Sequence, residues 1–182
     1  MPQPHRPSSP AAIRSGSEPV KNLAYLSLGS NLGDRAANLR AAIAQIASAG
    51  SLPAISSFYE TEPVHVPRQP WFLNCALALE TTLNPRQLLQ FILSIEAGMG
   101  RLRFRDKGPR KIDIDLVLFG DLIIQQPDLT VPHLQMHMRR FVLEPLAEIA
   151  PHARHPVLNK SIRELLASLE GGQIVRRVED HY

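Results

Sequence analysis

Between Leu23 and Phe119 the apolar residues change period repeatedly, and the order of those changes leaves very few folds open to the chain. Leu23 to Leu28 sets Ala24, Leu26 and Leu28 against Tyr25 and Ser27 and stops at Gly29, a spacing that predicts a strand ending in a turn. Asp34 then offers an N-cap, Leu39, Ile43 and Ile46 recur on one helical face, and Gly50 supplies a stop. Ile55 to Tyr59 reads as a second strand. Phe72 to Thr81 reads as a third, with Leu73, Cys75, Leu77 and Leu79 on one face and Phe72, Asn74, Ala76 and Ala78 on the other. Asn84, Pro85 and Gln87 supply the N-cap, first-turn proline and capping-box partner of a second helix. Its stripe is Leu88, Ile92, Ile95 and Met99, and Gly98 and Gly100 end it. Lys111 to Phe119 alternates again, placing Ile112, Ile114, Leu116 and Leu118 on one face and Asp113, Asp115, Val117 and Phe119 on the other. The resulting β-α-β-β-α-β order specifies an α+β ferredoxin-like sandwich, an antiparallel sheet with helices on one face. C-terminal additions follow: a mixed region from Phe141 to Ile149, a helix capped by Ser161 and Glu164, and a last strand at Val175 and Val178.

A chain of 182 residues with 44% hydrophobic content can fill one core, so residues 23–182 are read as a single domain. Residues 1–22 are read as a disordered extension, because Pro2, Pro4, Pro7 and Pro10 with Ser8, Ser9, Ser15 and Ser17 leave no apolar surface to bury. The net charge of +3 is too mild to argue for a nucleic-acid or membrane partner. Cys75 is the only cysteine, which excludes an internal disulfide framework and suits a reducing, cytoplasmic setting. Charge is nonetheless concentrated. From Arg101 to Lys111 six basic residues face Asp106 alone, a local net of +5 that makes an anion site plausible.

Asp113 and Asp115 stand two apart in an apolar strand, so both carboxylates point to the same face with Cα atoms about 6.5 Å apart. Two carboxylates placed so would repel, and one would take up a proton, unless a cation lies between them. Magnesium ions about 3.5 to 4 Å apart, shared with substrate phosphates, resolve that conflict. The basic stretch just before the pair supplies what a polyphosphate needs, since arginine forks match phosphate oxygens. Neither G-x-x-x-x-G-K-[ST] nor a strand-borne G-x-G-x-x-G is present. The Gly29 to Gly33 segment is read as a structural turn rather than an anion cradle, because Asp34 occupies the helix cap.

The block from Asp106 to Val117 (DKGPRKIDIDLV) resembles the signature of the hydroxymethyldihydropterin pyrophosphokinases of folate synthesis. Ala24 to Asn31 (AYLSLGSN), Ser56 to Thr61 (SSFYET), Gln69 to Asn74 (QPWFLN), Glu96 to Arg103 and Val131 to Phe141 resemble further segments of that family in the same order. The resemblance implies the ferredoxin-like fold and pyrophosphoryl transfer from ATP to 6-hydroxymethyl-7,8-dihydropterin. It makes Asp113 and Asp115 ligands of two Mg2+ ions bound with ATP. Arg101 and Arg110, with the two aspartates, become the groups acting on the transferring phosphates, and Arg103 a catalytic-loop arginine. Glu96, His133 and Arg139 fall on the ATP side. Thr61, Glu62, Val64, Phe72, Asn74 and Phe141 fall around the pterin, with Phe72 and Phe141 sandwiching the ring and Asn74 reading its edge. ATP and the pterin are then the small-molecule partners, and a monomer is expected.

Two other readings stay open on the residues alone. A ferredoxin-like RNA-binding module predicts salt-sensitive RNA binding, although it would place aromatics where the fourth strand has Asp113 and Asp115. A metal-dependent nucleotidyltransferase would release pyrophosphate instead of AMP.

Overall fold

Asn22–Ser30 forms β1, an inner strand of the sheet in a computed structural model that describes residues 20–63, 69–100 and 108–178. β1 pairs antiparallel with β4 (Phe72–Thr81) on one side and with β5 (Asp113–Phe119) on the other. β2 (Gly50–Ile55) and β3 (Tyr59–Thr61) share the far edge of β4, and β10 (Val175–Arg177) closes that side against β3. Of the extension expected over residues 1–22, residues 1–19 lie outside the described residues, while Asn22 already pairs with Thr81 in β1; Val64, Arg101 and Arg103 also lie outside them.

Helices α1 (Arg35–Ile46) and α2 (Pro85–Gly98) cover one face of the sheet. Both begin as their caps require. Asp34 accepts from the Ala37 N–H at 2.9 Å, and Asn84 and Gln87 form a reciprocal capping box. Leu39, Ala42, Ile46, Leu88, Ile92 and Ile95 pack there on Leu26, Leu28, Leu77, Leu79, Ile112 and Ile114. The opposite face is covered over part of its area by the C-terminal additions. α3 (Arg140–Ile149) and α4 (Ile162–Ala167) bury Val142, Leu143, Leu146, Ile162 and Leu165 against Ala76, Val117 and Leu118. Two small hairpins, β6–β7 (Ile124–Gln126 with Leu129–Val131) and β8–β9 (Arg154–His155 with Lys160–Ser161), complete the described chain.

Three expectations change in detail. The strand read at Ile55 to Tyr59 is two strands around Ser56, whose Oγ accepts the Ala76 N–H at 2.9 Å where a ladder carbonyl would otherwise stand. The alternation of β5 does not run to its end. A register shift opposite Tyr25 and Leu26 skips Val117, so Phe119 turns into the α1–α2 core while Leu118 joins Val117 beneath α3. Gly50 ends no helix directly. A 3-10 turn at Ala47–Ala49 intervenes, and Gly50 opens β2 where an added Cβ would stand 2.0 Å from the Glu80 carbonyl oxygen.

Candidate active site

Residues directly opposite one another in an antiparallel ladder share a face, and the registers here line up a single row across the sheet. Tyr59 pairs with Asn74, Asn74 with Gly29, and Gly29 with Asp113. The adjacent row runs Ala76, Ser27, Asp115. Asp113 and Asp115 therefore look out on the same face as Phe72 and Asn74, away from the α1–α2 core. Two strand spacings, about 10 Å, separate the backbones of Asp113 and Asn74.

The acidic wall is held by its backbone and flanked by cations. Asp113 and Asp115 keep side-chain exposures of 28% and 33%, enough to meet a ligand. Arg110 Nη1 stands 3.0 Å from Asp113 Oδ2, and Arg139 Nη1 stands 4.0 Å from Asp115 Oδ2. Glu96, buried on α2, accepts the Ile114 N–H at 2.8 Å and so pins the strand between the two aspartates. The His133 N–H donates to Val117 O at 3.0 Å, and His133 Nδ1 accepts from the Gln135 N–H at 3.2 Å. Burial pushes the His133 imidazole below its ordinary pKa; Asp115 and Asp113 oppose that and Arg139 reinforces it.

The aromatic wall is assembled from separate segments. Asn74, 3% exposed, donates from Nδ2 to Thr61 Oγ1 at 2.6 Å, which fixes its amide with Oδ1 over Gly29. A Cβ on Gly29 would stand 2.6 Å from that oxygen and 3.6 Å from Phe72 Cδ1, so only glycine admits this arrangement. Phe72 and Phe141 are each half-buried, leaving ring surface to a ligand. The Arg139 guanidinium carbon lies 5.6 Å from the Phe141 ring centroid, which makes Arg139 common to both walls.

Residues 25–151 match the family model described as 7,8-dihydro-6-hydroxymethylpterin-pyrophosphokinase (HPPK). The chain belongs to this family. It is 43% identical to the 2-amino-4-hydroxy-6-hydroxymethyldihydropteridine pyrophosphokinase of Methylorubrum extorquens over 84% of its own length and 97% of that protein's. It is 40% identical to the folic acid synthesis protein fol1 of Schizosaccharomyces pombe over 84% of its length, but spans only 21% of that longer chain. The crystal structure of wild-type Plasmodium falciparum HPPK-DHPS with pteroate shares the fold at a TM-score of 0.68 and 18% identity, covering 83% of this chain and 45% of that one.

Against the HPPK signature, the structure brings Asp113, Asp115, Arg110, Arg139 and His133 to one wall and Thr61, Phe72, Asn74 and Phe141 to the other. Glu62 turns its side chain away from Thr61 and Asn74. Its carboxylate accepts the Ile174 N–H at 2.9 Å and so faces the C-terminal segment. Glu96 is engaged with the strand backbone, although the resemblance put it on the ATP side. Two residues were missed by sequence reasoning. Gly29 was read only as a turn former. Asn31, 2% exposed, exchanges backbone and side-chain hydrogen bonds with Arg110 at 3.1 and 2.8 Å, and its amide nitrogen reaches Gln69 Oε1 at 3.2 Å. Asn31 thus joins the arginine of one wall to the segment leading into Phe72. The signal was available in the GSN turn, where an asparagine follows the strand end that also carries Gly29.

Proposed function

We propose that this protein transfers the pyrophosphoryl group of ATP to 6-hydroxymethyl-7,8-dihydropterin, giving the pterin diphosphate and AMP. The observation that carries this is the shared row: the carboxylate of Asp113 and the amide of Asn74 face the same space with only Gly29 between them. A flat ring held at Asn74, Phe72 and Phe141 points a short exocyclic arm toward the phosphates held at Asp113 and Asp115. The attacking hydroxymethyl oxygen forms a bond to the β-phosphorus, the bond from that phosphorus to the α,β-bridging oxygen breaks, AMP leaves, and the hydroxyl proton passes to solvent.

The donor set suits magnesium. The described residues contain no group of three or more His, Cys, Asp or Glu side chains placed to bind a metal. Asp113 and Asp115 would therefore hold the ions together with phosphate oxygens and water, the coordination magnesium prefers over an all-protein cage. Two such ions, bound with ATP, would neutralise the phosphate oxygens and polarise the phosphorus. The protein's own part is placement and charge. Arg110 and Arg139, now against the aspartates, meet charge that builds on the phosphates. Arg101 and Arg103 are assigned the same work on the family resemblance. Glu96 and His133 hold the strand and its flank, and Thr61 orients Asn74. Val64 and the backbone of Glu62 are assigned to the pterin side on the family resemblance.

The reading includes a monomer as the working unit, because the row that joins Asp113 to Asn74 runs within one sheet. A cytoplasmic setting goes with it, since the only cysteine, Cys75, is a free thiol and no internal disulfide framework can form. No helix of the described residues is long and apolar enough to cross a membrane. The test is an assay with magnesium, ATP and the hydroxymethyldihydropterin. AMP should form in equal amount to pterin diphosphate; release of pyrophosphate, or no AMP at all, overturns the assignment.

A further inference from the structure

The two sides of the proposed pterin slot, the end of β3 with the residues after it and the start of α3, are far apart in sequence. A third segment bridges them. Gln173 Nε2 donates to the Glu62 carbonyl oxygen at 2.7 Å, and Gln173 Oε1 accepts the Phe141 N–H at 3.3 Å. A single half-buried side chain thus touches the backbone next to Thr61, which orients Asn74, and the backbone of Phe141, the aromatic assigned to the other side of the slot. Only a primary amide of this length uses a donor and an acceptor in this way. Glutamate lacks the donor, leucine lacks both, and asparagine is one methylene short.

The surroundings make the strut rigid. The Glu62 N–H donates to Ile174 O at 3.2 Å, and the Ile174 N–H returns to Glu62 Oε1 at 2.9 Å. From there β10 runs antiparallel to β3, pairing Val175 with Thr61 and Arg177 with Tyr59. The Arg176 guanidinium carbon lies 5.5 Å from the Trp71 ring centroid, beside Phe72. Arg177 anchors the far end of β10 on Ser57 and Glu148. All of these C-terminal residues lie beyond residues 25–151, the part matched by the family model.

We infer that Gln173 is a positioning residue that sets the separation of the two walls of the pterin slot and so tunes affinity for the pterin without touching it. The inference rests on the proposed function. β3 pairs with β4, and α3 buries its apolar face, through contacts that do not involve the Gln173 amide. The fold then has no reason to fail when the amide is removed, while the slot loses its spacer.

The experiment uses the full chain and compares Gln173→Leu with Arg177→Ala, which weakens the same strand away from the slot. Fluorescence titration with hydroxymethyldihydropterin is run beside steady-state kinetics and melting curves. Gln173→Leu should weaken pterin binding by about fivefold to tenfold, the effect of losing one or two ordinary hydrogen bonds. Its kcat, its KM for magnesium ATP and its melting temperature should stay near wild type. Arg177→Ala should leave pterin affinity within about twofold. Equal pterin affinity in wild type and Gln173→Leu overturns the inference alone. So does a profile in which both variants weaken both substrates and melt early, because that is the mark of a structural anchor. A wild-type protein that binds no pterin overturns the functional reading, and the inference with it.

Discussion

Arg110, Asp113 and Asp115 come from six consecutive residues leading into and along one strand, whereas Thr61, Phe72, Asn74 and Phe141 come from three different elements. The acidic wall inherits its geometry from the pleat of β5. Two residues at a spacing of two must share a face, and the ladder with β1 together with the Glu96 carboxylate, which accepts the Ile114 N–H, fixes where that face lies. The aromatic wall has no such guarantee. It depends on Thr61 for the Asn74 amide, on the missing side chain of Gly29, and on the C-terminal segment for its spacing. A change of charge on the first wall should therefore stay local, and a change of shape on the second should spread along its contacts.

The largest effect should come from Asp113→Asn and Asp115→Asn. Each removes a negative charge from the wall while keeping size and position, so turnover should fall about 100- to 1000-fold, the loss typical of removing a group that stabilises transition-state charge. Melting temperatures should move by less than about 2 °C, since partly exposed ion pairs such as Arg110–Asp113 contribute little to stability. Turnover assays and melting curves on the same preparations decide the point. Near-normal rates in either variant would remove the carboxylates from the chemistry, and an early melt would show that this wall is not independent of the fold.

Gly29→Ala probes the other side of the contrast with a single methyl group. The new Cβ meets Asn74 Oδ1 at 2.6 Å, and Asn74 cannot yield without losing Thr61. Pterin KM should rise about tenfold and the protein should lose about 1–3 kcal/mol, the usual cost of overpacking. KM for magnesium ATP should change by less than about threefold, even though Gly29 also pairs with Asp113. If both KM values rise together, the two walls respond as one body and the contrast drawn above fails.

The same contrast explains what could be read from the sequence. The strand and helix order and the shared face of Asp113 and Asp115 were legible because local period and tertiary packing agree there. The places where reading failed are those where a single residue interrupts a period. Val117, skipped in the register, reverses the sides of Leu118 and Phe119. Ser56 splits one expected strand into two by lending its hydroxyl to the ladder. Phe141 to Ile149 reads as a mixed region in the sequence and is helical in the fold; Pro145 inside it removes an N–H that a helix would use. Asn31, Gln173 and the Glu62 carboxylate act through hydrogen bonds that span 32 to 112 positions in sequence, and no local pattern announces such a bond.

The smallest effect concerns a third region, the β8–β9 hairpin, which should give the protein a pH dependence belonging to neither wall. His155, 5% exposed, accepts the Val157 and Leu158 N–H groups on Nδ1 at 3.3 and 3.2 Å, and the His137 ring lies 6.1 Å away. Burial pushes its pKa below the ordinary histidine value, nearby His137 pushes it further, and a backbone hydrogen bond opposes both. Protonation would set a new N–H against two others at Nδ1. In the unfolded chain the imidazole titrates near its usual value of about 6.5. Between that value and the lower folded one, the unfolded state holds more protons, so stability is complete above about pH 6.5 and falls as pH drops toward the folded value. His155→Asn keeps an acceptor at the Nδ1 position and cannot titrate in this range. Melting temperature against pH should therefore fall less steeply below about pH 6.5 in the variant than in wild type, by on the order of 2 °C at pH 5. The depressed His133 supplies the same sign in both proteins and cancels in the comparison. Turnover at pH 7.5 should be equal in the two. A variant whose melting curve tracks wild type down to pH 5 would show that His155 does not titrate with folding. A variant with altered turnover at pH 7.5 would tie the hairpin to the acidic wall after all.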